Sequence, residues 1–93
     1  MLVRDKMERK LIDGLAPQKL DIVDESQRHH GHAGAHPEGE SHFRVEIVSK
    51  AFEGKSPVAR QRQVYSLLEE ELRDRVHALS LVTLTPDEAA KRN

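Results

Sequence analysis

The chain has 93 residues, 37% hydrophobic and 33% charged, with 15 basic and 16 acidic side chains, six histidines and no cysteine. That length suits one small domain and excludes a multidomain enzyme, and the composition is that of a folded chain with a small core. The absent cysteines exclude a disulfide framework, a thiolate nucleophile and any all-cysteine zinc or iron site.

The opening segment MLVRDKMERK mixes Asp5 and Glu8 with four basic residues, which fits neither a signal peptide nor an acid-poor transit peptide. A cytoplasmic chain without a membrane segment is expected, because no apolar stretch approaches the roughly 18 residues of a bilayer span. Val3, Met7, Leu11, Ile12 and Leu15 recur at spacings of three and four, which predicts an amphipathic first helix from Leu2 to about Leu15, closed by Pro17. Residues 20–26 (LDIVDES) and 42–49 (HFRVEIVS) read as strands. In the second, Phe43, Val45 and Ile47 alternate with His42, Arg44 and Glu46, which predicts one buried and one wetter face.

Between the two strands, residues 27–41 (QRHHGHAGAHPEGES) form a fifteen-residue segment holding four of the six histidines and three of the five glycines. A connection of that length in a small domain tends to be functional or disordered. After a turn at Glu53 and Gly54, Ser56 is suited to cap a helix that opens on Pro57. The stripe Val58, Gln61, Tyr65, Leu68 and Leu72, with Val64 and Leu67 beside it, predicts that this second helix runs to about Arg73. Residues 77–85 (HALSLVTLT) read as a third strand, and Thr85-x-x-Glu88 as the capping box of a short last helix or tail over 86–93.

The resulting order, αββαβα, predicts a single α/β (α+β) domain with a three-stranded mixed sheet and no internal repeat. A strand-helix-strand crossover makes the third strand parallel to the second, and the short first pair is antiparallel. Ser26, His42 and His77 then share one sheet edge, and His29, His30, His32 and His36 approach it from the connecting segment. Neutral imidazole is a common ligand for zinc, iron and copper, so two histidines meeting at this edge could hold a metal. The spacings match no zinc-finger pattern.

Two phosphate-directed patterns are weaker. Gly54-Lys55-Ser56 sits where a P-loop would end, yet Ser49 occupies the position of its first glycine. Gly54 to Pro57 stands where a KH domain has its Gly-x-x-Gly loop, with proline in the fourth place. Lys50, Lys55, Arg60 and Arg62 against Glu53 leave a local charge of +3, so Lys55, Arg60 and Arg62 are the candidate nucleic-acid contacts. Phe43, Phe52 and Tyr65 are the aromatic residues of the chain, a poor platform for base stacking. No catalytic set is evident, and Glu69 to Glu71 read as a solvated helix face.

Several of these segments together resemble the BolA family: Pro17 to Leu20, Asp24-Glu25-Ser26 followed by a histidine, Glu40-Ser41-His42-Phe43, Phe52-x-Gly54-x-Ser56, Arg60-x-Arg62-x-Val64-Tyr65 and Val76-His77-Ala78-Leu79-Ser80-Leu81. The resemblance covers nearly the whole chain in the family's order. It implies a fold related to class II KH domains with a helix-turn-helix-like region. It also implies pairing with a monothiol glutaredoxin and a shared, glutathione-dependent [2Fe-2S] cluster, in iron-sulfur maturation or iron regulation. Some bacterial members are described as DNA-binding regulators. The family's strand histidine maps onto His77, and its loop ligand onto His29, with His30, His32 and His42 as alternates. Gln61 stands where the family commonly has histidine. A chain without cysteine cannot hold such a cluster alone, so the implied protein is an adaptor rather than an enzyme, a monomer by itself and a heterodimer with its partner.

Overall fold

The computed structural model describes residues 2–26 and 39–92. Helix α1 (Val3–Leu15) buries Val3, Met7, Leu11 and Leu15 at a strict spacing of four, while Ile12 stays exposed. The helix ends at Ala16, which adopts a left-handed conformation (φ 43°) and donates its N–H to the Ile12 carbonyl, and Pro17 prevents any continuation. The Ser49 hydroxyl donates to the Leu15 carbonyl at 2.6 Å, tying the end of α1 to the sheet.

Strands β1 (Lys19–Asp24) and β2 (His42–Val48) pair antiparallel, and β3 (Ala78–Leu84) pairs parallel to β2, giving the sheet order β1-β2-β3. Ile22, Phe43, Val45 and Ile47 turn into the core, as the alternation requires. The mixed sheet and its connections are those expected from the order of elements. A 3-10 turn over Lys50–Phe52 follows β2, capped by the Ser49 hydroxyl, and buries Phe52. Gly54 then takes φ 77°, and the Ser56 hydroxyl accepts the Ala59 N–H to cap the next helix.

The predicted second helix is two: α2 (Pro57–Leu67) and α3 (Glu69–Asp74), separated at Leu68, where ψ of 17° departs from helical geometry. Its buried face also differs from the expected stripe. Val58 and Tyr65 are 56% and 42% exposed, whereas Arg60, Val64, Leu68 and Glu71 are buried. The inward face is rotated because it includes two charged residues that hydropathy assigns to solvent, each paired. Glu71 accepts from Lys10 Nζ at 2.7 Å and 3.0 Å, and Arg60 meets Glu88 and the sheet. Helix α2 approaches α1 closely at Gly14, where a Cβ would stand 2.7 Å from a Leu67 methyl.

The last helix, α4 (Pro86–Lys91), carries the predicted capping box: Thr85 Oγ1 accepts the Glu88 N–H and the Glu88 carboxylate accepts the Thr85 N–H. No helix among the described residues is long and apolar enough to cross a membrane.

Candidate functional site

The end of β1, the start of β2 and the start of β3 lie at one edge of the sheet, which brings Ser26, His42 and His77 together as the topology predicts. His77 immediately precedes β3 and is exposed, and its N–H donates to the Ser41 carbonyl at 2.7 Å. The same carbonyl accepts the Ala78 N–H at 3.1 Å, so one buried oxygen fixes both the first rung of the β2–β3 ladder and the residue before it. The His42 and His77 rings are neighbours, with centroids 5.6 Å apart and planes inclined by 47°.

His42 is not on the wetter rim that strand alternation suggests; it is 7% exposed. It stands on the central strand with His77 against its ring, and Ser41 Oγ lies 2.9 Å from its Nδ1, an arrangement that holds the ring's orientation. His29, His30, His32 and His36 lie outside the described residues.

The stems on either side of residues 27–38 are anchored through groups that the residue pattern did not single out. Asp24 Oδ1 accepts both the Ser26 N–H (2.9 Å) and the Ser26 hydroxyl (2.6 Å), while Oδ2 accepts the Glu40 N–H at 3.1 Å. One carboxylate therefore grips the outgoing and the returning chain. Its burial works to raise the Asp24 pKa, but the Ser26 and Glu40 hydrogen bonds and the nearby His42 outweigh that and hold it below the ordinary value. Glu40 in turn accepts the Arg4 N–H at 3.1 Å, satisfying an end group of α1 that Leu2 cannot cap, and Arg75 donates to the Gly39 carbonyl. The Asp-x-Ser spacing at 24–26, a known local turn pattern, was the legible signal.

Among the described residues, no three His, Asp or Glu side chains converge as a metal cage. The His42–His77 pair sets two imidazoles side by side, the donor type a shared metal site would draw from this chain. The remaining ligands of such a centre have to come from residues 27–38 or from a partner's thiolates.

Of the candidate nucleic-acid residues, Lys55 and Arg60 are neighbours, joined through the Lys55 backbone carbonyl rather than presented as two solvent-facing cations. Lys55 is exposed and donates to Gln63 Oε1 at 2.8 Å, and Arg62 is exposed. Arg60 corrects the expectation of a solvated phosphate contact. It is 7% exposed and donates to the Lys55 carbonyl (2.9 Å), the Thr83 carbonyl (3.0 Å) and the Glu88 carboxylate (2.6 Å), with its guanidinium 5.9 Å from the centre of the Phe52 ring. Phe43 and Phe52 are buried, so Tyr65 alone of the three aromatics is exposed.

Residues 11–88 match the family of BolA-like proteins. The chain belongs to the BolA-like family. It is 46% identical over 92 residues to the SufE-like protein 1, chloroplastic/mitochondrial, of Arabidopsis thaliana, an alignment covering 95% of this chain and 24% of that protein. The chain thus spans about a quarter of that plant relative's length. It is 46% identical over 85 residues to the DNA-binding transcriptional regulator BolA of Escherichia coli, covering 91% of this chain and 77% of the relative. The solved structure of BolA1 from Arabidopsis thaliana superposes with a TM-score of 0.82 at 43% identity, covering 95% of this chain and 96% of that one. The BolA-like fold is therefore shared over nearly the whole chain.

Proposed function

We propose that this BolA-like chain is an adaptor that shares a glutathione-dependent [2Fe-2S] cluster with a monothiol glutaredoxin. The observation that carries the reading is the pair of neighbouring imidazoles, His42 and His77, at the mouth of a histidine-rich segment in a chain without cysteine. A [2Fe-2S] cluster requires four ligands, and thiolates from the partner's cysteine and from glutathione complement two imidazoles from this chain. When bound, the cluster supplies a transferable redox centre, and imidazole ligation raises its potential relative to all-thiolate ligation.

His77, exposed and held at its N–H by Ser41, is the ligand presented to the partner. His29 is the loop ligand, with His30, His32 and His42 as alternates. Asp24 holds the two stems of the loop at that edge. The test mixes the chain with a monothiol glutaredoxin, iron, sulfide and glutathione and records the visible spectrum. A one-to-one complex with a spectrum distinct from that of the glutaredoxin homodimer is expected, and His77→Ala abolishes the distinction. A mutant complex with the wild-type spectrum rules out His77 as a ligand.

A second reading, a DNA-binding regulator, draws on the name of the Escherichia coli relative. With Arg60 turned inward, Lys55 and Arg62 remain as the exposed cations of the candidate set, so binding is weak and falls steeply with salt. Tight, sequence-selective binding of the apo chain at physiological salt, weakened by Arg62→Ala, would reverse the ranking.

A further inference from the structure

The two edges of the sheet are built differently. Strand β1 carries Lys19, Asp21 and Asp24, the charges that ordinarily keep an edge from pairing with another chain. Strand β3, the opposite edge, runs ALSLVTL over seven residues without a charge, a proline or a glycine.

The register defines which backbone groups of β3 face outward. The Ala78 N–H bonds to the Ser41 carbonyl and the Leu84 carbonyl accepts the Ser49 N–H, so the even-numbered residues face β2. The odd-numbered Leu79, Leu81 and Thr83 face away. Arg60 takes the Thr83 carbonyl. Among the described residues nothing bonds the N–H and C=O groups of Leu79 and Leu81.

We propose that the β3 edge is a self-association surface, on which a second copy of this chain pairs antiparallel, β3 against β3, with Ser80 on the two-fold axis. In that register Leu79 of each copy faces Leu81 of the other as a hydrogen-bonded pair, so the N–H and C=O groups of Leu79 and Leu81 are all satisfied in each copy. The register centred on Leu81 instead would set Leu79 against Thr83, whose carbonyl Arg60 already holds. Ala78 meets Val82 and Ser80 meets Ser80, so every pair formed between residues 78–82 of the two copies is uncharged. The net charge of −1 adds little repulsion between copies.

One strand per copy buries less than the roughly 800 Å² per partner of a stable interface, so association is weak: a monomer at about 10 µM and a substantial dimer toward about 1 mM. The proposal is independent of the cluster reading, because the chain alone forms the contact.

The test exploits the absence of native cysteine. The Ser80–Ser80 pair is non-hydrogen-bonded, with Cα atoms about 4.5 Å apart, within disulfide range. Ser80→Cys is therefore expected to form a disulfide-linked dimer under diamide about ten-fold faster than Asp21→Cys on the other edge. In a sedimentation series the wild type associates with concentration, Ser80→Lys remains monomeric, and a mixture of Ser80→Lys with Ser80→Glu regains the dimer. Equal cross-linking of the two cysteine variants overturns the proposal, as does association that Ser80→Lys leaves unchanged. A wild type that stays monomeric at about 1 mM also overturns it, and amide protection of Leu79 and Leu81 on adding a glutaredoxin would then assign the edge to that partner.

Discussion

Replacing Arg60 by alanine separates a structural arginine from a nucleic-acid contact. The side chain is nearly buried and donates to two backbone carbonyls, Lys55 and Thr83, that have no other partner among the described residues. Alanine leaves both acceptors in a site that water reaches poorly, and a lost charge-assisted hydrogen bond to a buried group costs about 1–2 kcal/mol. Glu88 is 46% exposed, so it recovers hydration, and no share of the loss is assigned to it. The expected destabilisation is about 2–4 kcal/mol from a total of roughly 5–10, a fall in Tm of about 10–30 °C for a domain of this size. Urea titration followed by circular dichroism measures it directly, with Arg62→Ala, on the exposed face, expected to change stability by no more than about 0.5 kcal/mol. An Arg60→Ala protein that unfolds at the wild-type urea midpoint while losing DNA affinity would refute this assignment and return Arg60 to the phosphate-binding set.

Acid should expose the Glu88 anchor. Its carboxylate is held down to about 2, chiefly by Arg60 and then by the Thr85 N–H, from an ordinary 4.5. Because the folded value is the lower one, the stabilisation is fully present above pH about 4.5 and is lost as pH falls toward 2; Glu88→Gln should flatten the urea midpoint over that window. For the loop, His29→Ala is expected to give partial cluster loss, because His30 and His32 carry the same donor, and to disturb the cluster more than His36→Ala. The triple alanine variant at His29, His30 and His32 should be as labile toward a chelator as His77→Ala, measured above the imidazole pKa; wild-type lability would move the second ligand to His42 or to the partner.

Local pattern determined most of the architecture. Alternation of Phe43, Val45 and Ile47, the Ser56-Pro57 start and the Thr85-x-x-Glu88 box each act within a few residues, so their structural outcome is written in adjacent side chains. The parallel direction that a β2-α2-β3 crossover imposes then placed His42 and His77 at one edge without knowledge of any contact. What tertiary structure alone decided are the pairings between distant groups. Arg60 and Glu71 turn inward because Glu88 and Lys10, 28 and 61 residues away in sequence, neutralise them there, and hydropathy at the positions themselves points the other way. His42 is buried rather than on the rim, since its environment is made by Ser41 beside it and by His77, just before the neighbouring strand β3. The open edge of β3 likewise became visible only with the ladder, because which carbonyls face outward depends on register against β2 and on the Arg60 guanidinium that covers one of them.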